Sequence, residues 1–204
     1  MAETTRDLPD GYEQYATFSI HTNPLNRRVS YILHFASVIF FVPLFAAVTA
    51  AVRPGEVLDP IDLWAVSIPR LGVIGAVAVL FFIVAGVMNL HQLIHAGVIR
   101  YNAGAVPTIT PRRITFGVST PGFYLPKRRM MLVTVAPFFV LSAIGALLLS
   151  LVPASGIAWI FIPLVANGIA SSRDILTLSW TIATPAGSLF HDAGTELTVY
   201  AERG

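Results

Sequence analysis

Two histidines in the segment "NLHQLIHAGVIR", residues 89–100, have the type and spacing that metal chemistry requires. His91 and His95 are four positions apart, so on an α-helix their side chains lie on the same face. Two neutral imidazoles in that arrangement can hold one Zn²⁺ ion, but the site then needs a third protein ligand. The pair therefore predicts part of a metal centre, and the rest must come from elsewhere in the chain.

Gln92 follows the first histidine directly and would lie beside the metal. In the zinc-site pattern H-E-x-x-H, this position is a glutamate that accepts a proton from the activated water. An amide has no usable basicity near neutral pH, although Gln92 can still form hydrogen bonds with a water or a substrate. The residue types at 91–95 thus favour metal binding but lack the expected base.

The elements that must position these residues are long apolar segments. The chain has 204 residues, of which 55% are hydrophobic and only 12% are charged, about half the charged share of a soluble domain. Four apolar stretches exceed the ~20 residues that a helix needs to cross a membrane. They cover residues 29–52, 71–99, 130–152 and 157–183. The predicted fold class is therefore an all-α integral membrane protein with four transmembrane helices, in a single membrane domain over residues 1–204.

Asp174 is the carboxylate that these segments offer as a third ligand, since every Glu of the chain lies outside them. His91 is the 21st residue of its segment and Asp174 is the 18th of its own, so the two differ by roughly 5 Å in depth. His91, His95 and Asp174 can therefore meet in one half of the membrane. Asn167 and Ser171, seven and three positions before Asp174, extend a polar stripe on the same helical face.

The distribution of Lys and Arg predicts the orientation of the four segments. Ten of these residues fall on the side of the N-terminus, the middle loop and the C-terminus, and two fall on the opposite side. The ten are Arg6, Arg27, Arg28, Arg100, Arg112, Arg113, Lys127, Arg128, Arg129 and Arg203, and the two are Arg53 and Arg70. We therefore expect both termini on the cytoplasmic side of a membrane. A net charge of only +2 makes a nucleic-acid partner a poor fit, and the absence of cysteine excludes disulfides and Cys-based sites.

The middle loop and the C-terminal tail carry strand patterns. The loop, residues 101–129, contains "TITPRRITFGVSTPGFYLP", in which β-branched or aromatic residues alternate with polar ones between prolines and glycines. In the tail, residues 184–204, "TELTVY" alternates in the same way. These two patterns predict a small cytoplasmic β-hairpin or strand element. Residues 1–28, before the first apolar stretch, are polar and are expected to form a cytoplasmic N-terminal segment. The segment 58–69 reads as a short interfacial helix with Trp64 at the headgroup level.

Several short segments occur in a recognisable order along the chain. "LPDGYEQYATFSI" leads into the first apolar segment, and "HQLIH" stands in the second. A strand-rich loop follows, then "VAPF" in the third segment, "NGIASSRD" in the fourth and "HDAGTELTVY" in the tail. In this order and spacing the chain resembles, over nearly its whole length, the membrane-embedded zincin peptidases. That family is distantly similar to the site-2 intramembrane zinc metalloproteases, and it has H-E-x-x-H where this chain has "HQLIH".

Carried over residue by residue, the resemblance implies that His91, His95 and Asp174 bind Zn²⁺ and that Asn167 is a polar helper near the substrate carbonyl. Gln92 stands at the general-base position, where a glutamine corresponds to a natural or engineered loss of activity. The implied function is intramembrane hydrolysis of a peptide bond in a transmembrane or juxtamembrane protein substrate. The expected location is the lipid bilayer of a prokaryotic plasma membrane.

Two other functions fit the same residues. A non-catalytic pseudoprotease would bind membrane partners and use zinc as a structural ion. A polar helix-packing or transport protein would use a His–Asp network to hold helices together or to relay protons, without metal. The simplest interpretation of the nearby polar residues is a structural role. His34 and Asn89 then pack helices, and Arg173 extends towards the cytoplasmic face.

Overall fold

The computed structural model of the chain describes residues 3–19, 22–55 and 68–203. The interfacial helix expected at 58–69, with Trp64, lies outside these residues except for its last two positions. The described helices are α1 (Pro24–Val52), α2 (Ile68–Val98), α3 (Lys127–Leu151), α4 (Ile157–Ala170) and α5 (Ser172–Ala183). A π-helical turn, Ile99–Ala103, continues α2, and a short 3₁₀ turn, Ala154–Gly156, precedes α4.

Three helices in the described ranges are long and apolar enough to cross a membrane, which indicates a membrane protein. They are Pro24–Val52, Val77–Ala103 and Lys127–Leu151. Large apolar side chains on their surfaces, such as Phe35, Phe82 and Phe139, are more than half exposed, as lipid contact requires. The prediction of a mostly helical chain is confirmed, and these three helices have the length and composition that the predicted membrane-spanning segments require.

The fourth predicted span, 157–183, is not one continuous helix. It consists of α4, with 14 residues, and α5, with 12, and Ser171 lies between them. Each is shorter than the ~20 residues that a spanning helix needs. The interruption falls in a Gly- and Ser-containing stretch, Gly168–Ser172, where helices commonly bend. The Ser171 hydroxyl donates to the Asn167 carbonyl at 2.9 Å, so the chain turns next to the polar stripe that carries Asp174.

A four-stranded antiparallel sheet lies beside the helices, in the order β1, β6, β5, β4. Its strands are β1 (Tyr12–Phe18), β4 (Leu125–Pro126), β5 (Leu189–Asp192) and β6 (Leu197–Glu202). A separate hairpin consists of β2 (Thr108–Pro111) and β3 (Phe116–Ser119). The small sheet expected from the loop and tail patterns is confirmed. It also includes the N-terminal segment, which the sequence analysis had treated only as polar.

Two apolar clusters connect these elements. Phe41 and Phe45 of α1 pack against Leu149 of α3 and Phe161 and Leu164 of α4. In the second cluster, Phe18, Phe190, Leu197 and Val199 of the sheet pack against Met130 at the start of α3. The second cluster fixes the sheet against one end of the helix bundle, and the polar residues of α2 and α5 lie close to this junction.

Gly168 shows how closely α1 and α4 approach each other. A Cβ atom built on Gly168 would lie 2.5 Å from Cγ of Phe41, well inside van der Waals contact. Glycine is therefore required for the Phe41 ring to lie over α4 at this level. The neighbouring Asn167 is 1% exposed and faces the polar residues of α2.

Candidate metal centre

His91, His95 and Asp174 come together in space. One ligand atom from each lies within 4.8 Å of the others, and α2 supplies both histidines while α5 supplies the aspartate. Asp174 Oδ2 is 2.9 Å from Nε2 of His91, and its Oδ1 is 3.5 Å from Nε2 of His95. The two Nε2 atoms and the carboxylate thus face one point, as the helical spacing and the matched depth led us to expect.

Asn167 fixes the orientation of the His91 ring. His91 is 2% exposed, and its Nδ1 lies 3.0 Å from Oδ1 of Asn167. The amide nitrogen of Asn167 donates to the carbonyl of Phe138 at 3.4 Å, which assigns the amide oxygen to the histidine side. Because an amide oxygen only accepts, the proton of His91 lies on Nδ1. Nε2 is therefore the nitrogen available to a metal.

A backbone carbonyl fixes the second histidine. Nδ1 of His95 lies 2.9 Å from the carbonyl oxygen of Val133 in α3. In a regular helix that oxygen would accept the N–H of residue 137, but Pro137 has no N–H. The proline in "VAPF" therefore leaves a carbonyl free inside the bundle, and His95 donates to it. This hydrogen bond also leaves Nε2 as the nitrogen that faces Asp174.

The donor set fits zinc. Two imidazole nitrogens and one carboxylate are ligands that Zn²⁺ takes, and three protein ligands leave a fourth position for water or substrate. Each histidine also donates its other N–H to a fixed oxygen, which is the usual arrangement around metal-bound histidine. Within the part of the chain that the structure describes, no other group of three His, Asp or Glu side chains meets in this way.

The three side chains open into a cavity of about 380 Å³. Gln92 lines this cavity next to His91, and its side-chain amide forms no hydrogen bond with a residue in the described ranges. Residues Thr115–Val118, at the start of β3, form another part of the wall. The position that would carry the general base in H-E-x-x-H therefore faces the open side of the centre, but it carries an amide.

Other polar residues that the sequence singled out lie around the centre. His34 lines the cavity, and its Nδ1 is 3.2 Å from the hydroxyl of Ser172, so it is outside the group of three. Arg173 lines the cavity and is exposed. Asn89 points away and donates to the carbonyls of Ala85 and Ile114, which ties α2 to the β2–β3 turn.

Sequence reasoning missed two carboxylates that line the same cavity. Asp192 and Glu196 stand at the two ends of the turn between β5 and β6. Burial raises the pKa of the Asp192 carboxyl, although the Gly194 N–H and the charges of His191 and His95 oppose this. Both carboxylates lie outside the apolar segments, where a comparison of depths along membrane helices does not apply. The alternation in "LFHD" was the available signal, since it places Asp192 on the face of the buried Phe190.

A bundle of apolar helices around a His–His–Asp group defines a membrane metallopeptidase-like protein. The sequence comparisons agree, because residues 82–189 match the family described as "Putative zincin peptidase", and the chain belongs to that family. The match extends from α2, with both histidines, to the first residue of β5. Zincins are zinc-dependent enzymes with histidine ligands on a helix. No curated protein and no solved structure matches the chain.

Proposed function

We propose that the protein is an intramembrane zinc metallopeptidase of the site-2 type, in which His91, His95 and Asp174 hold the metal. The convergence of the three ligand atoms within 4.8 Å, on a cavity that admits substrate, carries this proposal. Zinc bound there would polarise a peptide carbonyl and lower the pKa of a water molecule. Asn167 and the Val133 carbonyl hold the two imidazoles in the orientation that the metal requires.

The strand Phe116–Ser119 is the proposed docking edge for substrate. It pairs with β2 on one side only, and Thr115–Val118 line the cavity. A substrate that has unwound from its transmembrane helix would add as a strand along the free edge, because backbone hydrogen bonds then satisfy its polar groups. Strand addition would place the peptide bond next to the His–Asp group. The substrate class is thus a transmembrane or juxtamembrane segment of another membrane protein.

The proposed orientation has both termini, the sheet and the cavity on the cytoplasmic side. The Lys and Arg distribution supports this orientation, and the chain has no cysteine that would interfere with labelling. Thr110 lies in the exposed β2 strand, whereas Ala154 lies in the turn between α3 and α4 at the opposite end. In intact cells, an impermeant thiol reagent should label Ala154→Cys and spare Thr110→Cys, and the reverse pattern would overturn the orientation.

A substitution at position 92 tests whether the protein hydrolyses peptide bonds. Gln92→Glu is nearly isosteric, so folding and zinc content should stay the same. Cleavage of a membrane substrate should rise, because a carboxylate next to the metal can give acid–base help, which is worth about 10²–10⁴ where no other group supplies it. Both proteins are purified in detergent, loaded with zinc and given the same panel of transmembrane substrates. If both hold zinc and neither cleaves, the peptidase proposal fails and the zinc-binding pseudoprotease, which Gln92 favours, replaces it.

A further inference from the structure

We propose that Asp192 supplies the carboxylate that the centre lacks at position 92, as the group that takes and returns the proton during peptide hydrolysis. The assignment rests on the proposed peptidase function and adds a residue to it. The family match ends at residue 189, before Asp192, and the H-E-x-x-H pattern assigns the base to a different element.

The strand β5 directs Asp192 towards the helices. Side chains alternate along a strand, so Asp192 lies on the same face as Phe190, two positions earlier. Phe190 is 1% exposed and packs in the cluster with Met130 at the start of α3. Asp192 therefore faces the helix bundle, and it lines the cavity together with His91, Gln92 and His95.

Two backbone N–H groups hold Asp192 in place, one through its carbonyl and one through its carboxylate. Its carbonyl accepts the N–H of Thr120 at 3.1 Å, which joins β5 to the segment that follows β3. Its carboxylate oxygen Oδ1 accepts the N–H of Gly194 at 2.7 Å. Gly194 adopts φ +86°, a conformation that other residues rarely take, so the turn depends on glycine here. The side chain is thus fixed by the turn and does not swing freely.

One carboxylate oxygen of Asp192 remains available. Oδ1 is engaged by Gly194, whereas Oδ2 accepts no hydrogen bond from a residue in the described part of the chain. Asp192 and His95 both line the cavity. The hydrogen bond from Gly194 distinguishes Asp192 from Glu196, the other acid of this turn, whose carboxylate is not held by a hydrogen bond from a residue in the described part of the chain.

In the proposed step, one proton moves from the attacking water to the leaving nitrogen by way of Asp192. Oδ2 of Asp192 takes one proton from the attacking water as the water oxygen bonds to the peptide carbonyl carbon. The carbon–nitrogen bond then breaks, and Asp192 returns the same proton to the leaving nitrogen. One water is consumed, a carboxylic acid and an amine are formed, and Asp192 ends as the carboxylate. Gln92 can take no part in this transfer, but it can donate a hydrogen bond to the substrate.

The decisive variants are Asp192→Asn and its matched control Glu196→Gln. Each removes one negative charge from the same turn, and asparagine keeps the Oδ1 acceptor for Gly194. Cleavage should fall by about 10²–10⁴ in Asp192→Asn, within the range for acid–base help, and stay near wild type in Glu196→Gln. Zinc content should be unchanged in both. In a Gln92→Glu background, Asp192→Asn should cost little, because glutamate 92 then carries the proton.

A second readout needs no substrate. With Co²⁺ in place of zinc in the full-length protein, the visible absorption reports ionisation at the metal as pH changes. The pH midpoint should move by at least about half a unit in Asp192→Asn and stay unchanged in Glu196→Gln, because the proton is shared with residue 192. If the wild type, Asp192→Asn and Glu196→Gln all bind cobalt and show the same pH midpoint, the Asp192 assignment alone is overturned. Loss of zinc in Asp192→Asn would make it a ligand and also overturn it. Failure of every protein to bind metal overturns the proposed peptidase function as well.

Discussion

His95 and Val133 are joined by a hydrogen bond from a ligand imidazole to a helix carbonyl, at 2.9 Å. The bond exists because Pro137 leaves that carbonyl without its helical partner. One apolar segment therefore orients a proposed metal ligand on another, although neither Val133 nor Pro137 can bind metal through its side chain. The proline is a functional element of α3.

Pro137→Ala should weaken zinc binding by about 10–100-fold, the usual cost of losing a partner of a metal-bound histidine. Alanine restores an N–H at position 137, which competes with His95 for the Val133 carbonyl. Zinc affinity is measured by competition with a chelator. Pro43→Ala, which restores the equivalent N–H inside α1, is the control and should bind zinc as the wild type does. Equal zinc affinity in both variants would show that Pro137 does not orient His95.

Asn167→Leu should weaken zinc binding by a similar factor, about 10–100-fold, because His91 Nδ1 then loses its 3.0 Å acceptor. The buried ring could turn, and Nε2 would no longer be fixed towards Asp174. The matched control is Asn89→Leu, since Asn89 is two positions before His91 in the same helix but donates its hydrogen bonds to the carbonyls of Ala85 and Ile114. Zinc affinity in Asn167→Leu equal to that of Asn89→Leu would contradict the role given to this residue.

Gly168→Ala should destabilise the fold by about 1–3 kcal/mol, the usual cost of overpacking. The new methyl would lie 2.5 Å from Cγ of Phe41. The measurement is unfolding in detergent, followed by circular dichroism. Gly97→Ala in α2 is the control, because nothing lies within 4 Å of its Cβ position, and it should be neutral or stabilising. Phe41→Ala should relieve part of the Gly168→Ala effect, and strictly additive losses would argue against the contact.

The raised pKa of Asp192 predicts a pH dependence of stability. A carboxyl with a higher pKa in the folded than in the unfolded chain binds its proton more tightly when folded. The resulting stability is fully present below the unfolded pKa, about 3.9, and is lost as pH rises through the folded pKa. The thermal midpoint of Asp192→Asn should therefore rise relative to wild type across this window and then stay constant. A difference in thermal midpoint that shrinks with rising pH would show that folding lowers the pKa of Asp192.

The helical part of the site could be predicted because it depends on short-range geometry. Spacing of four puts His91 and His95 on one face, and the rise per residue brings Asp174 to a similar depth. The hydrogen-bond partners of the two histidines are harder to predict from the sequence. That Val133 accepts from His95 follows from the way α2 packs on α3, and the sequence of neither helix specifies that packing.

The sheet side of the site could not be predicted from local patterns. Tyr12–Phe18 pairs with Leu197–Glu202, and no local signal links strands so far apart in sequence. Asp192 enters the cavity only because β5 joins this sheet and the sheet packs on Met130. The break at Ser171 was also not predicted. The apolar run continues through it, and a hydropathy pattern does not show where a helix changes direction.

Zinc stoichiometry tests the central claim most directly. Elemental analysis of the purified chain should give about one zinc per molecule, as expected for a single three-ligand site. Zinc should be lost in His91→Ala, His95→Ala and Asp174→Ala. It should be kept in His34→Ala, because His34 lines the same cavity but bonds Ser172 and not the metal group. A wild-type protein without zinc after reconstitution, or full zinc in all three ligand variants, would contradict the assignment.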